Sequence, residues 1–290
     1  MVALVTGGAG VVGKALCREL LLRRVDVRVL TLPGDSQVSL LPEGVEVRYG
    51  DVTDFASIRE AFAGVDVVYH LAAILLSKKK GEFDRINAGG TDNVVRAARE
   101  AGVSRLVYVS SISVTYPVLT EYGESKLRGE KIVMESGIPW TVVRPTLVIG
   151  DGGGIEYNMF ASYVRRFPLY FLPGGGKALK RPVRSGDLVR GIALAGLIDC
   201  AEGKVYALAG SDIMSMAEMA RAILAAENRR HWMLPLPWFV SRRLAVFRSW
   251  IGGKRVTAEQ ALAGFLYDAA PDITAAVRDL GYCPGAPLEK

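Results

Sequence analysis

The sequence predicts a doubly wound α/β fold, in which helices pack on both faces of a parallel β-sheet. Short apolar and β-branched runs alternate with helix-length segments through the first 150 residues. Some of these runs, such as 65–71, are apolar almost throughout, as is typical of strands that are buried on both faces. A glycine-rich segment also joins the first strand to the first helix. Together, these three observations predict the doubly wound architecture.

The individual elements follow from the residue pattern of each segment. In the first helical segment, Leu16 and Leu20 recur at helical spacing and are expected to face inward. After about residue 150 the alternation stops, and the glycine-rich stretches 151–154 and 173–176 indicate loops. The predicted strands are 2–5, 25–32, 45–49, 65–71, 106–110 and 140–143, and the predicted helices are 14–23, 56–62, 91–101, 125–135, 186–198, 215–226 and 258–267.

The composition excludes several classes of protein. Half of the 290 residues are hydrophobic, which excludes a disordered chain. The three cysteines, Cys17, Cys200 and Cys283, form no CxxC pair, and the two histidines lie far apart, so neither a disulfide framework nor a metal site is expected. No apolar run reaches the about 18 residues of a membrane span, and the start lacks the basic region of a signal peptide. A cytoplasmic protein is therefore expected.

The segment from Thr6 to Gly13 has the spacing of a phosphate-binding loop. Gly7, Gly10 and Gly13 match the pattern TGxxGxxG between a predicted strand and a predicted helix. Glycine is needed there for a tight turn, for close approach of the backbone to a pyrophosphate and for helix–strand packing. The segment also resembles a P-loop, but Ala15 stands where that motif needs Ser or Thr for magnesium. The pattern therefore favours dinucleotide binding.

This loop suggests how the chain is divided. We predict a dinucleotide-binding domain over 1–150 and a small, mostly helical substrate lobe over 151–290, packed on the carboxyl edge of the sheet. At the end of the second strand, an acidic residue would bind a ribose 2′-hydroxyl and a basic residue a 2′-phosphate. Thr31 and Leu32 stand there instead, and Asp35 lies beyond them. The cofactor is therefore expected to be NAD or NADP, and the sequence does not distinguish the two.

Tyr122 and Lys126 form a second pattern with chemical meaning. They lie four residues apart at the start of a helix, which places both on one face. An ammonium group nearby lowers the pKa of a tyrosine from its usual value near 10 and makes it a usable acid or base. Ser110 and Ser111 end the preceding strand and can donate a hydrogen bond to a reacting oxygen. The alternative interpretation is an ordinary pair on a helix surface.

With these motifs, the sequence resembles the NAD-dependent epimerase/dehydratase family of the extended short-chain dehydrogenase/reductase superfamily. The resemblance covers essentially the whole chain and includes the motifs at 50–54, 70–73, 87–91, 106–111, 144–150, 184–187 and 279–282. It implies hydride transfer between a nicotinamide and the carbon of a secondary alcohol or ketone. Tyr122 would be the acid/base, Lys126 would hold the nicotinamide ribose, and Ser111 would polarise the substrate oxygen.

The same resemblance implies which residues contact the cofactor. They are Gly7, Gly10, Val11, Val12, Gly13, Asp51, Val52, Leu71, Ala72, Ala73, Val109, Tyr122, Lys126, Pro145, Thr146 and Val148.

The substrate stays open among three hypotheses. Sugar-nucleotide epimerases of this type carry Arg-Tyr-Phe-Asn in the late strand, whereas this chain has Leu147 at the amide position. The form found here is similar to ketone reductases, sterol dehydrogenases and the family member built into respiratory complex I. The hypotheses are therefore an epimerase/dehydratase-type oxidoreductase with a sugar nucleotide among its candidate substrates, a ketone reductase or sterol-type dehydrogenase, and a non-catalytic assembly subunit. The intact Ser111, Tyr122 and Lys126 favour an enzyme.

The formal charge of +6 is concentrated in residues 229–255. That segment contains seven Lys and Arg, no acidic residue and three of the four tryptophans. From position 238 its apolar residues fall on one helical face, so it is interpreted as a lobe helix, as a contact with a membrane or a lipid-like substrate, or as a diphosphate site. No nucleic-acid motif accompanies the charge. The expected partners are a small-molecule substrate and a second copy of the chain in a homodimer.

Overall fold

A seven-stranded parallel sheet forms the centre of the molecule. The computed structural model describes residues 1–77, 79–150, 153–237, 239–241, 243 and 258–286. In chain-order numbering, the sheet contains β1 (Val2–Thr6), β2 (Asp26–Thr31), β3 (Glu46–Tyr49), β4 (Val67–His70), β5 (Arg105–Val109), β6 (Trp140–Pro145) and β11 (Lys204–Leu208). Their order across the sheet is β11-β6-β5-β4-β1-β2-β3, and every neighbouring pair is parallel. The order therefore reverses at β1, which lies between β2 and β4.

Helices cover both faces of this sheet. One face carries α1 (Val11–Leu22), α6 (Ser185–Leu197) and α9 (Thr274–Leu280), and the other carries α2 (Phe55–Ile58), α3 (Gly89–Glu100) and α4 (Glu121–Met134). The inward residues of each layer pack against strands that are buried almost throughout, such as Ala3, Leu4 and Val5 of β1. The predicted doubly wound fold is confirmed.

A smaller unit has its own core. It contains α5 (Ile155–Arg166), α7 (Met216–Ala225) and α8 (Ala258–Leu266), with the strand pairs β7 (Val148–Ile149) and β10 (Val183–Arg184), β8 (Leu169–Pro173) and β13 (Trp232–Leu236), and β9 (Leu179–Lys180) and β12 (Met214–Ser215). Phe160, Leu172 and Met219 are among the buried residues of this core. The division at residue 150 stays a prediction. Three elements after that residue, α6, β11 and α9, pack in the sheet unit.

The strands from β7 to β13 and the helices α5 and α9 were not predicted from the sequence. Two of these elements, β11 and α5, bear on the site. β11 has an apolar run at 205–208, but this run comes after the regular alternation of strands and helices has stopped, so the sequence alone does not assign it to the sheet beside β6. α5 has a polar first turn and directly follows a glycine-rich loop, which obscures the helical pattern. β11 completes the sheet beside β6, and α5 becomes a wall of the site described below.

His70, the last residue of β4, ties three elements together beneath the carboxyl edge of the sheet. The Thr91 hydroxyl donates to the carbonyl oxygen of Asn87 at 2.5 Å, so it accepts from His70 Nε2 at 2.9 Å. His70 Nδ1 is then left to accept from the Thr6 hydroxyl at 2.6 Å. Burial, and to a smaller degree the charge of Lys126, lowers the pKa of His70 to about 3. His70 is therefore a neutral structural residue at physiological pH.

An ion pair fixes α4 relative to the sheet. Arg144 in β6 donates to both carboxylate oxygens of Glu130 in α4, from Nε at 2.9 Å and from Nη2 at 2.6 Å. The Glu130 side chain is 2% exposed, and that of Arg144 is 26% exposed. Because Lys126 lies one turn before Glu130, the pair sets the position of the helix face that carries Tyr122 and Lys126.

We expect Glu130→Ala to lower the free energy of unfolding by about 3 kcal/mol, because Arg144 would keep its charge without its carboxylate partner. The matched control is Glu135→Ala, which removes an exposed carboxylate from the same helix and should cost about 0.5 kcal/mol or less. Urea denaturation of both variants checks this. Equal losses would show that the buried pair does not hold α4.

The pKa of His70 predicts how stability depends on pH. Between about pH 6.5 and 3 the unfolded chain binds a proton at residue 70 that the folded chain does not, so stability falls as the pH falls, at up to about 1.4 kcal/mol per pH unit. His70→Gln keeps a donor and an acceptor but cannot titrate. The stability advantage of the wild type over this variant should therefore be largest at neutral pH and shrink towards about pH 4.5 in denaturation curves. A difference independent of pH would contradict the prediction.

Candidate active site

The loop between β1 and α1 forms a cradle at the point where the strand order reverses. Gly7 has a φ of +70°, and a Cβ there would lie 2.9 Å from the Cα of Ala72. A Cβ at Gly13 would lie 2.3 Å from the carbonyl oxygen of Gly7. Side chains are thus excluded at both positions, which lets a ligand reach the backbone. Gly10 precedes α1, and no side chain in the described part of the chain caps this helix start.

The cradle fits the pyrophosphate of a dinucleotide. The first N–H groups of α1 and its positive dipole end face the space that the glycines leave free. Val11 and Val12 form the first turn of the helix, and Val11 is 47% exposed. When bound, the dinucleotide would supply the nicotinamide carbon that accepts or donates a hydride. The cradle thus offers space and N–H donors to a pyrophosphate, and the assignment of its residues as cofactor contacts stays a prediction.

The end of β2 carries an acidic group that its position in the sequence did not reveal. Asp35 folds back, so that its carboxylate accepts from the Thr31 hydroxyl at 2.8 Å and from the Gln37 N–H at 2.9 Å. These hydrogen bonds lower the pKa of Asp35. Lys14 also reaches this place and donates to Gln37 at 2.9 Å. Leu32 is exposed beside them.

The loops after β3 and β4 bring further predicted residues to the same edge. One carboxylate oxygen of Asp51 accepts hydrogen bonds from the N–H and the hydroxyl of Thr53, at 2.8 and 2.9 Å. The carbonyl oxygen of Val52 accepts from the side-chain amide of Asn93 at 2.9 Å. The other residues of these loops, Leu71, Ala72 and Ala73, are partly exposed along the crevice.

Asn87 holds the loop after β4 in place. Its side-chain oxygen accepts from the N–H of Ile74 at 2.8 Å, and its Nδ2 donates to the carbonyl of Ile74 at 3.1 Å. The same amide also donates to Ser125 at 3.0 Å, inside α4. Asn87 therefore links the β4 loop to the helix that carries Tyr122 and Lys126.

Ser111, Tyr122 and Lys126 come together at the carboxyl end of β5. The Thr120 side chain caps α4 by accepting from the Gly123 N–H at 3.0 Å, which starts the helix next to Tyr122. Ser111 begins the turn after β5 and accepts from the hydroxyl of Ser113 at 2.9 Å. Burial raises the pKa of Tyr122, and a hydrogen bond between the side chains of Ser111 and Tyr122 opposes that rise without outweighing it.

The neighbouring Ser110 differs from Ser111. Its hydroxyl is buried, and among the described residues it has no hydrogen-bond partner. Ser111 is partly exposed and contacts Tyr122, so the predicted contact with the substrate oxygen stays assigned to Ser111 as a prediction.

Burial controls the protonation of the tyrosine and the lysine. It lowers the pKa of Lys126 to about 7, against the opposing effect of Glu130, and the ammonium lies 4.2 Å from the centre of the Tyr108 ring. Desolvation raises the pKa of Tyr122, and the negative charge of Glu156 raises it further. In the chain by itself, Tyr122 is therefore protonated at neutral pH.

The smaller unit contributes residues that the sequence did not indicate. Glu156 lies in the first turn of α5, where desolvation raises the pKa of its carboxyl and Lys180 lowers it. Lys180 is 4% exposed and donates to the carbonyl of Tyr267 at 2.6 Å, and burial lowers its pKa to about 8. The rings of Tyr116 and Tyr267 lie 5.6 Å apart. No motif pointed to these residues, because they come from four separate segments.

The end of β6 and the residues that follow it also lie at the predicted site. Pro145 ends β6, and Thr146 is buried with its hydroxyl donating to the carbonyl of Arg181 at 2.5 Å. Leu147 packs against the core of the smaller unit, and Val148 is partly buried. Val109 ends β5 and is partly exposed beside the serines. The ends of β5 and β6 thus lie at the same carboxyl edge of the parallel sheet as the loops after β1, β3 and β4.

Other predictions concern residues away from this crevice. Among the described residues, no group of three or more His, Cys, Asp and Glu side chains could hold a metal ion. The described helices include none that is long and apolar enough to cross a membrane. Of the predicted amphipathic helix starting at 238, only 239–241 and 243 belong to the described residues; the rest lies outside them.

Comparison with known proteins leads to one family. Residues 3–207 match the model of the NAD dependent epimerase/dehydratase family. A 2-alkyl-3-oxoalkanoate reductase of Stenotrophomonas maltophilia is 30% identical over 328 residues, which cover 100% of this chain and 97% of that protein. A 3 beta-hydroxysteroid dehydrogenase/Delta 5-->4-isomerase of Mycobacterium tuberculosis is 31% identical over 261 residues, covering 78% of this chain and 70% of the relative. A crystal structure described as gox2253 has a TM-score of 0.84 at 25% identity, covering 99% of this chain and 94% of its own.

These matches agree with the resemblance found in the motifs and extend along the sheet and the smaller unit. The chain belongs to the NAD-dependent epimerase/dehydratase family and is an NAD(P)-dependent oxidoreductase of the extended short-chain dehydrogenase/reductase type.

Proposed function

We propose that the chain reduces a ketone on an apolar small molecule, or oxidises the corresponding secondary alcohol, with a nicotinamide dinucleotide as hydride carrier. The observation that carries this proposal is the placement of Ser111, Tyr122 and Lys126 at one edge of the sheet, next to the glycine cradle. The names of the two relatives, an oxoalkanoate reductase and a hydroxysteroid dehydrogenase, support a ketone or alcohol carbon as the reacting centre.

Each of the three residues has a separate task in this proposal. Ser111 donates a hydrogen bond to the substrate oxygen and holds it beside the tyrosine. Tyr122, which burial keeps protonated, gives its proton to that oxygen as the carbon is reduced. Lys126 holds the nicotinamide ribose, and in its charged form it stabilises the negative charge that the transfer leaves on Tyr122. In the oxidation direction, Tyr122 takes the proton back.

The surroundings of Tyr122 favour an apolar substrate over a sugar nucleotide. Ile155 and Met159 flank Glu156 in the first turns of α5, and they are 42% and 55% exposed. Leu147 occupies the position at which the related sugar-nucleotide epimerases carry an amide, and its side chain packs into the apolar core of the smaller unit. An alkyl or ring system would bury such side chains on binding, whereas a sugar would leave most of its hydroxyls unpaired there.

Tyr122→Phe should lower kcat by about 100-fold or more, because the variant keeps the ring but loses the transferable proton. Binding of the reduced cofactor, followed by its fluorescence, should be unchanged. Tyr49→Phe is the matched control, because it alters an exposed tyrosine on β3 and should leave kcat at the wild-type value. An unchanged kcat in Tyr122→Phe would exclude this tyrosine as the proton donor.

The substrate class is tested by following reduced-nicotinamide absorbance with the wild-type chain. A panel should contain 3-oxoalkanoates, cyclic ketones and sterols as apolar substrates, and sugar nucleotides as the alternative. We expect net consumption of reduced cofactor with members of the apolar group only. Turnover of a sugar nucleotide without net change of the cofactor would instead support an epimerase.

We further propose that the chain prefers NAD over NADP. Thr31 orients the Asp35 carboxylate at the end of β2, and there the carboxylate would accept from a ribose 2′-hydroxyl and would repel a 2′-phosphate. Asp35→Ser should reduce the preference in kcat/KM by about tenfold or more, which corresponds to a lost repulsion of about 1.4 kcal/mol. Glu43→Ser, which removes an exposed carboxylate from the loop before β3, should leave it unchanged. A wild-type chain that prefers NADP would contradict the proposal.

A further inference from the structure

The smaller unit contains a two-stranded sheet with one buried and one exposed apolar face. β8 and β13 pair in parallel, with Trp232 opposite Leu169 and Leu234 opposite Phe171. Because side chains alternate along a strand, these four residues lie on one face, which we call the apolar face. Leu172, on the other face, is completely buried in the core of the unit.

The side chains of the apolar face are unusually exposed to solvent for large hydrophobic residues. Trp232 is 80% exposed, and Leu169, Phe171 and Leu234 are 45%, 40% and 44% exposed. These residues adjoin one another in the register of the sheet, so the exposed area is contiguous. Contiguous exposed apolar surface rimmed by polar residues is a mark of an interaction site.

Four arginines stand at one end of this face. Arg165 and Arg166 precede β8, and Arg229 and Arg230 precede β13; because the strands are parallel, both pairs lie at the same end. Arg229 donates to the carbonyl oxygen of Arg165 at 3.1 Å, which brings the two pairs into contact. All four residues are exposed, and Glu227, which pairs with Arg165 and Arg229, balances one of the charges. The rim is therefore positive.

The backbone edges of the same sheet are poorly suited to hydrogen bonding with an added strand. The hydroxyl of Tyr163 accepts from the N–H of Phe171 on β8 at 2.9 Å and donates to the carbonyl oxygen of the same residue at 3.0 Å. On β13, Pro235 has no N–H to offer. A partner would therefore meet the apolar face and its rim, rather than extend the sheet.

We propose that the apolar face, with its arginine rim, binds the surface of an anionic lipid bilayer. Trp232 and Phe171 would enter the interfacial region, where aromatic rings are favoured, and the arginines would meet the lipid phosphates. Each basic residue near such a surface strengthens binding by about fivefold, and the rim supplies several. A second copy of the chain would present a rim of the same sign, so the charge favours an anionic bilayer as the occupant.

The test is co-sedimentation of the full chain with lipid vesicles at low salt. We expect binding to vesicles of equal parts phosphatidylcholine and phosphatidylglycerol, release by added salt, and little binding to phosphatidylcholine alone. The double variant Trp232→Ser with Phe171→Ser should weaken binding by about tenfold or more. The charge reversal Arg166→Glu with Arg230→Glu should weaken it to a similar degree.

A control variant makes the same two kinds of change, apolar to serine and arginine to glutamate, elsewhere on the surface. Leu22→Ser with Arg24→Glu alters an exposed apolar residue and an exposed arginine at the end of α1, and it should bind as the wild type does. Circular dichroism and thermal unfolding establish that every variant is folded. The proposal is overturned if the wild-type chain does not bind the anionic vesicles, or if folded variants of the apolar face bind them as strongly as the wild type does. It is also overturned if light scattering shows a dimer that dissociates in the Trp232→Ser, Phe171→Ser variant, since a second copy would then cover the face.

Discussion

The close approach of the backbone at Gly7 to that at Ala72 is the constraint on which the rest of the site depends. β1 and β4 are neighbours in the sheet, but α1 and α3 lie on opposite faces, so the two loops separate above the sheet and leave a crevice between them. A side chain at Gly7 would force the loops apart. The buried hydrogen bonds of His70 and Asn87 hold the β4 loop against this contact from the other side. The cradle is therefore an outcome of packing, and its shape is set before any ligand arrives.

The charged side chains next to this crevice are not all paired: Glu130 pairs with Arg144, and Lys126 is left out of that ion pair. Glu130 could have paired with Lys126, one turn earlier on the same helix, but both of its carboxylate oxygens are taken by Arg144. Lys126 is left buried over the Tyr108 ring, which explains why its pKa lies well below the usual value for lysine. Because Arg144 takes both carboxylate oxygens of Glu130, the buried ammonium group of Lys126 would be stabilised by any ligand that offers it oxygen atoms. The same burial keeps Tyr122 protonated, so the tyrosine and lysine have complementary roles in the proposed reduction.

Much of this arrangement could be predicted from short-range patterns, and the exceptions have a common cause. The glycine loop and the Tyr122–Lys126 pair depend on spacing within a few residues, which the local backbone turns directly into geometry. Asp35 was recognised but placed too far along the chain, because only the observed turn brings its carboxylate back to Thr31. Glu156 and Lys180 belong to segments without a motif, and they reach Tyr122 and Tyr116 only through the packing of the smaller unit. β11 was missed because its apolar run at 205–208 comes after the regular alternation of strands and helices has stopped, and only the fold pairs it with β6.

The sequence by itself determined the class of sheet, the glycine loop proposed to bind a dinucleotide, and the helix face that carries the tyrosine and lysine, since period and spacing act over one or two turns of the chain. Tertiary structure alone decided how the buried ammonium of Lys126 is left without a carboxylate, which residues of the smaller unit face the crevice, and which face of β8 and β13 stays open. These features depend on contacts between separate segments of the chain, such as Tyr267 with Lys180 and Trp232 with Leu169, and no local pattern records such contacts.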